Sequence, residues 1–198
     1  MNQRLLLIPR WGGTPTSDWY PWARAELNAH PEKPFGRLEV ASMPQPDSPT
    51  IPAWVGRVRE LLGEDLEELG RTVVLGHSVG CQALLRALAE LPGGARVAGT
   101  MCVAGWFWTD DPWESLLPWI ETPLDLERAR TASGSPVVAM ISDDDPFTGD
   151  WRANAAAWRE RMGADVVLAP GAKHFNATHH PIIVETMLER FHGTGERE

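Results

Sequence analysis

A serine flanked by two glycines, between an apolar run and a helical run, constrains this chain more than any other stretch. Residues 73–80 read Val-Val-Leu-Gly-His-Ser-Val-Gly, and a stretch rich in alanine and leucine follows them. The spacing Gly76-x-Ser78-x-Gly80 predicts a sharp strand-to-helix turn that holds its central residue in a strained, exposed conformation. Glycine is needed at the flanking positions because a side chain there would collide with the neighbouring strand and helix. The stretch predicts Ser78 as a nucleophile; the alternative is an ordinary turn serine.

The order of the predicted elements places this turn in an α/β fold. The predicted strands are residues 4–8, 36–40, 72–75, 97–103, 136–142 and 166–168, and helical stretches alternate with them. Such alternation predicts a parallel sheet of about six strands with helices on both faces. Ser17 or Asp18 is a candidate N-cap for a helix that begins near Trp19. We expect residues 1–192 to form one α/β domain and residues 193–198 a frayed polar tail.

Charge and cysteine usage limit the partners and the compartment. The 198 residues carry a formal net charge of −9, which argues against nucleic acid or an anionic membrane as a main partner. The first apolar run is too short for a signal sequence or a membrane span, and no longer run follows it. Cys81 and Cys102 are interpreted as buried free thiols of a reducing compartment, so we expect a cytoplasmic protein. The sequence carries no signal for an oligomeric state.

An aspartate loop offers the acid that a serine nucleophile requires. A serine hydroxyl reacts poorly at neutral pH unless a nearby base takes its proton and a third group orients that base. The expected order along the chain is serine, acid and then histidine. Asp143, Asp144 and Asp145 follow the fifth predicted strand. We favour Asp145, because Pro146 biases its backbone toward an extended conformation, and rank Asp144 second. A solvated acidic turn is the alternative.

His174 is the predicted base, because it follows the last predicted strand. One imidazole nitrogen would take the Ser78 proton while Asp145 holds the other. The alternative is a surface loop histidine. Two backbone N–H groups are predicted to stabilise a developing oxyanion. One belongs to Val79, just after the nucleophile, and the other to Trp11 in the loop after the first strand. Arg10 is the alternative for this second donor.

Aromatic residues are predicted to form a substrate pocket. Trp106, Phe107 and Trp108 leave the carboxyl end of the fourth predicted strand and begin a small tryptophan-rich lid, while Trp22 belongs to the first predicted helix. These side chains would make an apolar wall for an acyl or aromatic group. The alternative is a lid that packs on the core with little ligand contact.

No metal or other cofactor is predicted. His179 and His180 follow the predicted base, but no carboxylate or cysteine completes a ligand pattern around them. The full glycine pattern of a dinucleotide loop is absent, as is the lysine motif of a phosphate loop. We expect a structural role for His77 and core packing for Cys81.

These motifs, in this order, resemble those of the α/β-hydrolases and, more narrowly, of the small serine hydrolases related to retinoblastoma-binding protein nine. The matching stretches are Ile8-Pro9 with Gly12-Gly13, Trp19-Tyr20-Pro21-Trp22, Gly76 to Gly80, Asp144 to Phe147 and His174 to Asn176. They extend over nearly the whole chain. The resemblance implies a compact esterase or amidase and supports Ser78, Asp145 and His174 as the triad. Ala172-Lys173 departs from the family, in which Gly-Gly or Cys-Gly often precedes the histidine.

The sequence therefore predicts a serine hydrolase that cleaves small carboxylic esters through an acyl-enzyme on Ser78, without a cofactor. Amides and thioesters are alternative substrates. Two further functions stay open: a protein-interaction module on the same scaffold with little or no catalysis, and acyl transfer to a nucleophile other than water.

Overall fold

Six parallel strands and the helices between them make up the fold in a computed structural model, which describes residues 3–191. The strands are β1 (Gln3–Ile8), β2 (Phe35–Val40), β3 (Thr72–His77), β4 (Gly99–Val103), β5 (Val137–Ile141) and β6 (Asp165–Leu168). The helices are α1 (Tyr20–Ala29), α2 (Ile51–Leu62), α3 (Leu66–Leu69), α4 (Val79–Ala89), α5 (Leu117–Glu121), α6 (Leu126–Ala132), α7 (Trp151–Met162) and α8 (Pro181–Phe191), with a 3-10 turn at Glu114–Leu116. The predicted polar tail, residues 193–198, lies outside the described residues.

The strand order explains where a site can form. The sheet runs β2-β1-β3-β4-β5-β6, and every neighbouring pair is parallel. The chain therefore builds outward in one direction from β1 to β2 and in the other from β3 to β6. Ligands of such sheets bind beyond the carboxyl ends of the strands at this reversal, which here lies between β1 and β3. The predicted parallel sheet of about six strands is confirmed.

Side chains alternate between the two faces of the sheet, so each strand contributes residues to the apolar core on both faces. In β1, Leu6 and Ile8 pack with residues of α2 and α4, whereas Leu5 and Leu7 pack with residues of α1 and α8. All six residues of β3 are buried, as expected for a central strand that is covered on both faces. No helix within residues 3–191 combines the length and apolarity needed to cross a bilayer.

The lid segment, residues 106–130, is fastened to α4 by buried polar contacts. Arg86 donates to the carbonyl oxygen of Trp119 at 3.0 Å and to that of Thr122 at 2.8 Å. Gln82 donates to the carbonyl oxygen of Trp106. The side chains of Trp106 and Trp119 are each only 2% exposed. The first part of the lid is therefore a fixed wall over the sheet.

Asp18 differs from its predicted role as a helix cap. The N-cap of α1 is Trp19, which makes no side-chain capping bond. The Asp18 carboxylate instead accepts two hydrogen bonds from the Arg10 guanidinium, at 2.7 and 2.9 Å. A bidentate bond to a charged partner is stronger than a bond to a neutral backbone N–H, so the ion pair wins the competition for this carboxylate.

Candidate active site

The turn between β3 and α4 has the strained geometry that the glycine spacing predicts. Ser78 adopts φ 56° and ψ −122°, a conformation that a non-glycine residue rarely occupies. A Cβ atom on Gly76 would lie 2.7 Å from the Cys81 backbone, and one on Gly80 would lie 2.5 Å from the carbonyl oxygen of Ile8. The two glycines thus let α4 approach both β3 and the end of β1, which raises Ser78 above the sheet.

The side chains of Ser78, His174 and Asp145 meet above the carboxyl end of the sheet. His174 Nε2 lies 2.8 Å from Ser78 Oγ, and its Nδ1 lies 2.9 and 3.1 Å from the two carboxylate oxygens of Asp145. Their exposed fractions are 7% for Ser78, 6% for His174 and 4% for Asp145. An imidazole held between a hydroxyl and a carboxylate can remove the hydroxyl proton while its own positive charge is stabilised.

The other two aspartates of the acid loop, residues 142–150, hold the histidine loop, residues 169–180. Asp143 accepts from the Gly171 N–H at 2.8 Å, and Asp144 accepts from the Lys173 N–H at 2.7 Å. Asp144 also accepts from the Ser142 hydroxyl at 2.6 Å. The Ser142 hydroxyl, followed by the Lys173 N–H, lowers the pKa of Asp144. Asp144 was the second choice for the acid, and these bonds direct its carboxylate to the loop backbone.

Two residues with positive φ enclose His174 within its loop. Lys173 has φ 52° and Phe175 has φ 56°. Such conformations cost about 1–3 kcal/mol and persist only where the surroundings enforce them. Phe175 is fully buried, and its N–H donates to the Ala172 carbonyl oxygen at 3.0 Å. Apolar burial on one side and the aspartate contacts on the other therefore fix the backbone that carries the imidazole.

Backbone N–H groups of two loops are candidates for an oxyanion hole. Val79 begins α4, so its N–H has no acceptor within the helix and lies at the positive end of the helix dipole. The Arg10 N–H, the alternative for the second donor, already donates to the Tyr20 hydroxyl at 3.1 Å. The Arg10 carbonyl accepts from the Gly13 N–H at 2.9 Å, so the trans peptide directs the Trp11 N–H away from Gly13.

A cavity of about 220 Å³ lies beside the serine and histidine side chains. It is lined by Arg10, Trp11, Ser78, Val79, Trp106, Thr109, Trp113, Leu116, Phe147, His174 and Asn176. Trp113 is 41% exposed and sets its ring against Trp11 and Phe147, with ring centroids 5.2 and 6.1 Å apart. The cavity is thus lined by both aromatic and polar side chains.

Three of the four predicted pocket residues, Trp22, Phe107 and Trp108, do not line this cavity. Only Trp106 is among the lining residues. Phe107 packs against Trp158, with ring centroids 4.7 Å apart, and Arg161 covers its ring and that of Trp108. Trp22 packs against His179. Beyond Trp106 the chain turns toward α7, because α7 donates two hydrogen bonds to the carbonyl oxygen just before it.

Several lining residues were missed from the sequence. Phe147 stands two residues after Asp145, and Asn176 stands two residues after His174. Side chains so close to the predicted acid and base are expected near the reaction centre, and this signal was available. Trp113 belongs to the predicted lid, but nothing in the sequence shows which of its aromatic side chains turns inward.

Comparison with known proteins identifies the family to which the sequence is similar. The sequence matches the family described as serine hydrolase over residues 5–182. It is 28% identical over 105 residues to the YdeN protein of Bacillus subtilis (strain 168), an alignment that covers 53% of this chain and 52% of YdeN. The chain thus aligns with about half the length of this curated relative.

Solved structures show the same fold. The crystal structure of the ydeN gene product from B. subtilis matches with a TM-score of 0.81 and 21% identity, over 95% of this chain and 98% of the other. Est1E from Butyrivibrio proteoclasticus matches with a TM-score of 0.69 and 15% identity, over 95% and 86%. The relation to retinoblastoma-binding protein nine stays a prediction. The family match over most of the chain shows that this protein belongs to the serine hydrolase family.

Proposed function

We propose that this hydrolase cleaves small carboxylic esters through an acyl-enzyme on Ser78, with His174 as the base and Asp145 as the acid. The observation that carries the proposal is the 2.8 Å contact between His174 Nε2 and Ser78 Oγ, made while Asp145 engages Nδ1 of the same ring. Amides and thioesters are alternative substrates of the same chemistry.

The proton path follows from which atoms can donate. The Asp145 carboxylate only accepts, so His174 Nδ1–H donates to it and leaves the Nε2 lone pair facing the Ser78 hydroxyl. When Ser78 Oγ attacks the substrate carbonyl, its proton passes to Nε2, and Asp145 stabilises the resulting imidazolium. His174 then protonates the leaving alkoxide, and the acyl group stays on Ser78. Water, deprotonated by His174, releases the acid.

The N–H groups of Val79 and Trp11 would stabilise the negative oxygen of the tetrahedral intermediate. Both residues line the cavity together with the nucleophile. Loss of one such donor typically slows acyl transfer by about 100- to 1000-fold. These two N–H groups are therefore proposed as the oxyanion hole.

The cavity suggests the size of the acyl group. An apolar cavity of about 150 Å³ accommodates benzene, so the 220 Å³ beside Ser78 suits one aromatic ring or a short acyl chain. Among the described residues no aspartate or glutamate lines it. We therefore propose a neutral or anionic small-molecule ester as the substrate and expect cationic acyl groups to be poor substrates.

The cytoplasm is the proposed location. Both cysteines, Cys81 and Cys102, are free and fully buried, which suits a reducing compartment. The net charge of −9 makes nucleic acid an unsuitable partner.

A panel of aryl esters with graded acyl groups tests the proposal on wild type, Ser78→Ala and Ser135→Ala. Ser135 is exposed and precedes the amino end of β5, so it serves as the matched control. We expect Ser78→Ala to lose about 1000-fold or more of kcat/KM while Ser135→Ala keeps wild-type rates. A fluorophosphonate probe should label Ser78. Absence of label on the wild type, or full hydrolysis by Ser78→Ala, would overturn the proposal.

A further inference from the structure

A buried row of hydrogen bonds joins the loop after β1, residues 9–19, to the histidine loop. The Arg10 N–H lies 3.1 Å from the Tyr20 hydroxyl oxygen, and that oxygen lies 2.7 Å from Nδ1 of His77. His77 Nε2 lies 2.9 Å from the carbonyl oxygen of His174. Tyr20 and His77 are fully buried and do not line the cavity, so neither is placed to touch substrate.

The protonation of the row is set by its ends. A carbonyl oxygen only accepts, so His77 Nε2 carries a hydrogen and donates to His174. Burial lowers the pKa of His77 well below its ordinary value, so the ring is neutral and Nδ1 holds a lone pair. Nδ1 accepts from Tyr20, whose pKa burial raises, and the Tyr20 oxygen accepts from the Arg10 N–H. Every bond therefore points from the loop after β1 toward the histidine loop.

The strand order shows why such a tie is needed. The histidine loop leaves β6, the edge strand, and β4 and β5 separate β6 from β3, which carries the nucleophile. Besides its contacts with the acid loop, His174 therefore needs contacts made over β3 to hold it there. His77 directly precedes Ser78, so its bond to the His174 carbonyl ties the backbone of the base to that of the nucleophile.

The same row reaches the proposed oxyanion donor. Tyr20 anchors the N–H of Arg10, the residue before Trp11. The Arg10 guanidinium in turn donates to the Trp11 carbonyl oxygen at 2.7 Å. The Trp19 ring packs against the side chains of Tyr20 and His77, with ring centroids 4.8 and 5.9 Å apart. This contact restricts the space in which either side chain could move.

We propose that Tyr20 and His77 are positioning residues, which set the Trp11 N–H and the His174 imidazole at their working distances from Ser78. The inference rests on the proposed function. Misplacement of a reacting group by about 1 Å can cost about 100-fold in rate, whereas a side chain outside the cavity has little effect on ground-state binding. Loss of the row should therefore lower kcat and leave KM nearly unchanged.

Tyr20→Phe tests the inference, because it removes one oxygen atom and keeps the ring. We expect kcat to fall about 10- to 100-fold and KM to change less than about threefold. Thr100→Val is the matched control. Thr100 is fully buried in β4, and its hydroxyl donates to the Ser133 carbonyl oxygen at 2.8 Å, away from the site. This control should lower the melting temperature by a similar amount and leave kcat unchanged.

Two substitutions of His77 provide a rescue test. Glutamine carries both a donor and an acceptor, whereas leucine carries neither. We expect His77→Gln to keep at least about ten times more kcat than His77→Leu, when each rate is divided by the folded fraction measured by circular dichroism. A positioning role requires this difference, and a role in packing alone does not.

The outcomes separate the inference from the proposed function. If wild type hydrolyses esters and reacts with fluorophosphonate, but Tyr20→Phe has the same kcat as wild type, only the inference is overturned. A loss of kcat in Tyr20→Phe that matches its loss of folded protein also overturns it. Wild type that neither hydrolyses nor labels overturns the proposed function and the inference together. A selective loss of kcat with rescue by glutamine supports both.

Discussion

The rings of Phe147 and His174 pack in a T-shaped arrangement, with ring centroids 4.6 Å apart and ring planes at 73°. Asp145 contacts the same imidazole from two residues earlier in the chain. The acid loop therefore supplies both the proposed acid and an apolar wall beside the proposed base. Shielding from water strengthens the bond between carboxylate and imidazole, because charges interact more strongly where the local dielectric is low.

Phe147→Ala should reduce the preference for aromatic acyl groups. Ring pairs contribute about 0.5–1.5 kcal/mol beyond their buried area, so we expect kcat/KM for a benzoyl ester to fall about 3- to 10-fold more than for an acetyl ester. Phe107→Ala is the matched control, because Phe107 packs on Trp158 outside the cavity. Equal losses for both esters in Phe147→Ala would contradict an aromatic subsite. Steady-state rates with the two esters decide the matter.

Gly80→Ala should destabilise the fold. The new methyl group would lie 2.5 Å from the carbonyl oxygens of Ile8 and Pro9, and a backbone carbonyl has little room to retreat. We expect the free energy of unfolding to fall by about 2–3 kcal/mol, measured by urea denaturation. Gly56→Ala, within α2, meets nothing within 4 Å and should raise the same free energy by about 0.5–1 kcal/mol. Similar effects at the two positions would contradict the close packing of α4 on β1.

Asp144→Asn should lower stability at neutral pH but not in acid. The pKa of Asp144 is lowered by the Ser142 hydroxyl and then by the Lys173 N–H. A carboxyl group with a lowered pKa stabilises the folded state above its ordinary pKa of about 3.9, and this effect is lost as the pH falls through the lowered value. We therefore expect the urea midpoints of wild type and variant to differ at about pH 7 and to converge in acid, as the pH falls from about 3.9 through the lowered pKa of Asp144. The exposed Asp111→Asn should differ from wild type at neither pH.

The buried His77 should make the fold sensitive to mild acid. Burial lowers its pKa, so below about pH 6.5 the unfolded chain binds a proton that the folded chain does not. The free energy of unfolding should therefore fall as the pH decreases below about 6.5, until the pH reaches the lowered pKa of His77 in the folded chain.

His77→Gln should remove that part of the slope in a urea series across pH. The exposed His179→Gln should keep it. A wild-type slope equal to that of His77→Gln would show that His77 titrates alike in the folded and unfolded chain.

The strands and the serine turn could be predicted because each depends on residues that are close together in the sequence. A continuous apolar run such as residues 72–75 indicates a strand covered on both faces, and the turn at Ser78 requires glycine at fixed spacing. Cys81 and Cys102 are buried and free, as predicted. The order of serine, acid and histidine follows from the strand order. The predicted roles of Ser78, Asp145 and His174 stay proposals until activity is measured.

The pocket was harder to predict, because it depends on where the chain turns after each aromatic residue. Phe107 and Trp108 adjoin Trp106 in sequence but lie outside the cavity. The reason is that side chains of α7 donate hydrogen bonds to the carbonyl oxygen of Gly105, which directs the following residues toward α7. Ser17 or Asp18 was predicted as the cap of α1, whose N-cap is Trp19, because the rule for caps considers only nearby backbone. The actual partner of Asp18, Arg10, competes as a charged group, and such tertiary competition is not visible in local sequence.

The run of three aspartates makes the number of residues in this loop as important as their identity. Each successive carboxylate meets a different target, at Gly171, Lys173 and the imidazole of His174. Deletion of one residue between Ile141 and Asp143 would keep all three aspartates but move each of them one position closer to β5. The residue types of the loop would stay the same, but the carboxylates would no longer face their three partners. We expect this deletion to inactivate the enzyme, so loop grafts between relatives should preserve the spacing from Ile141 to Asp145.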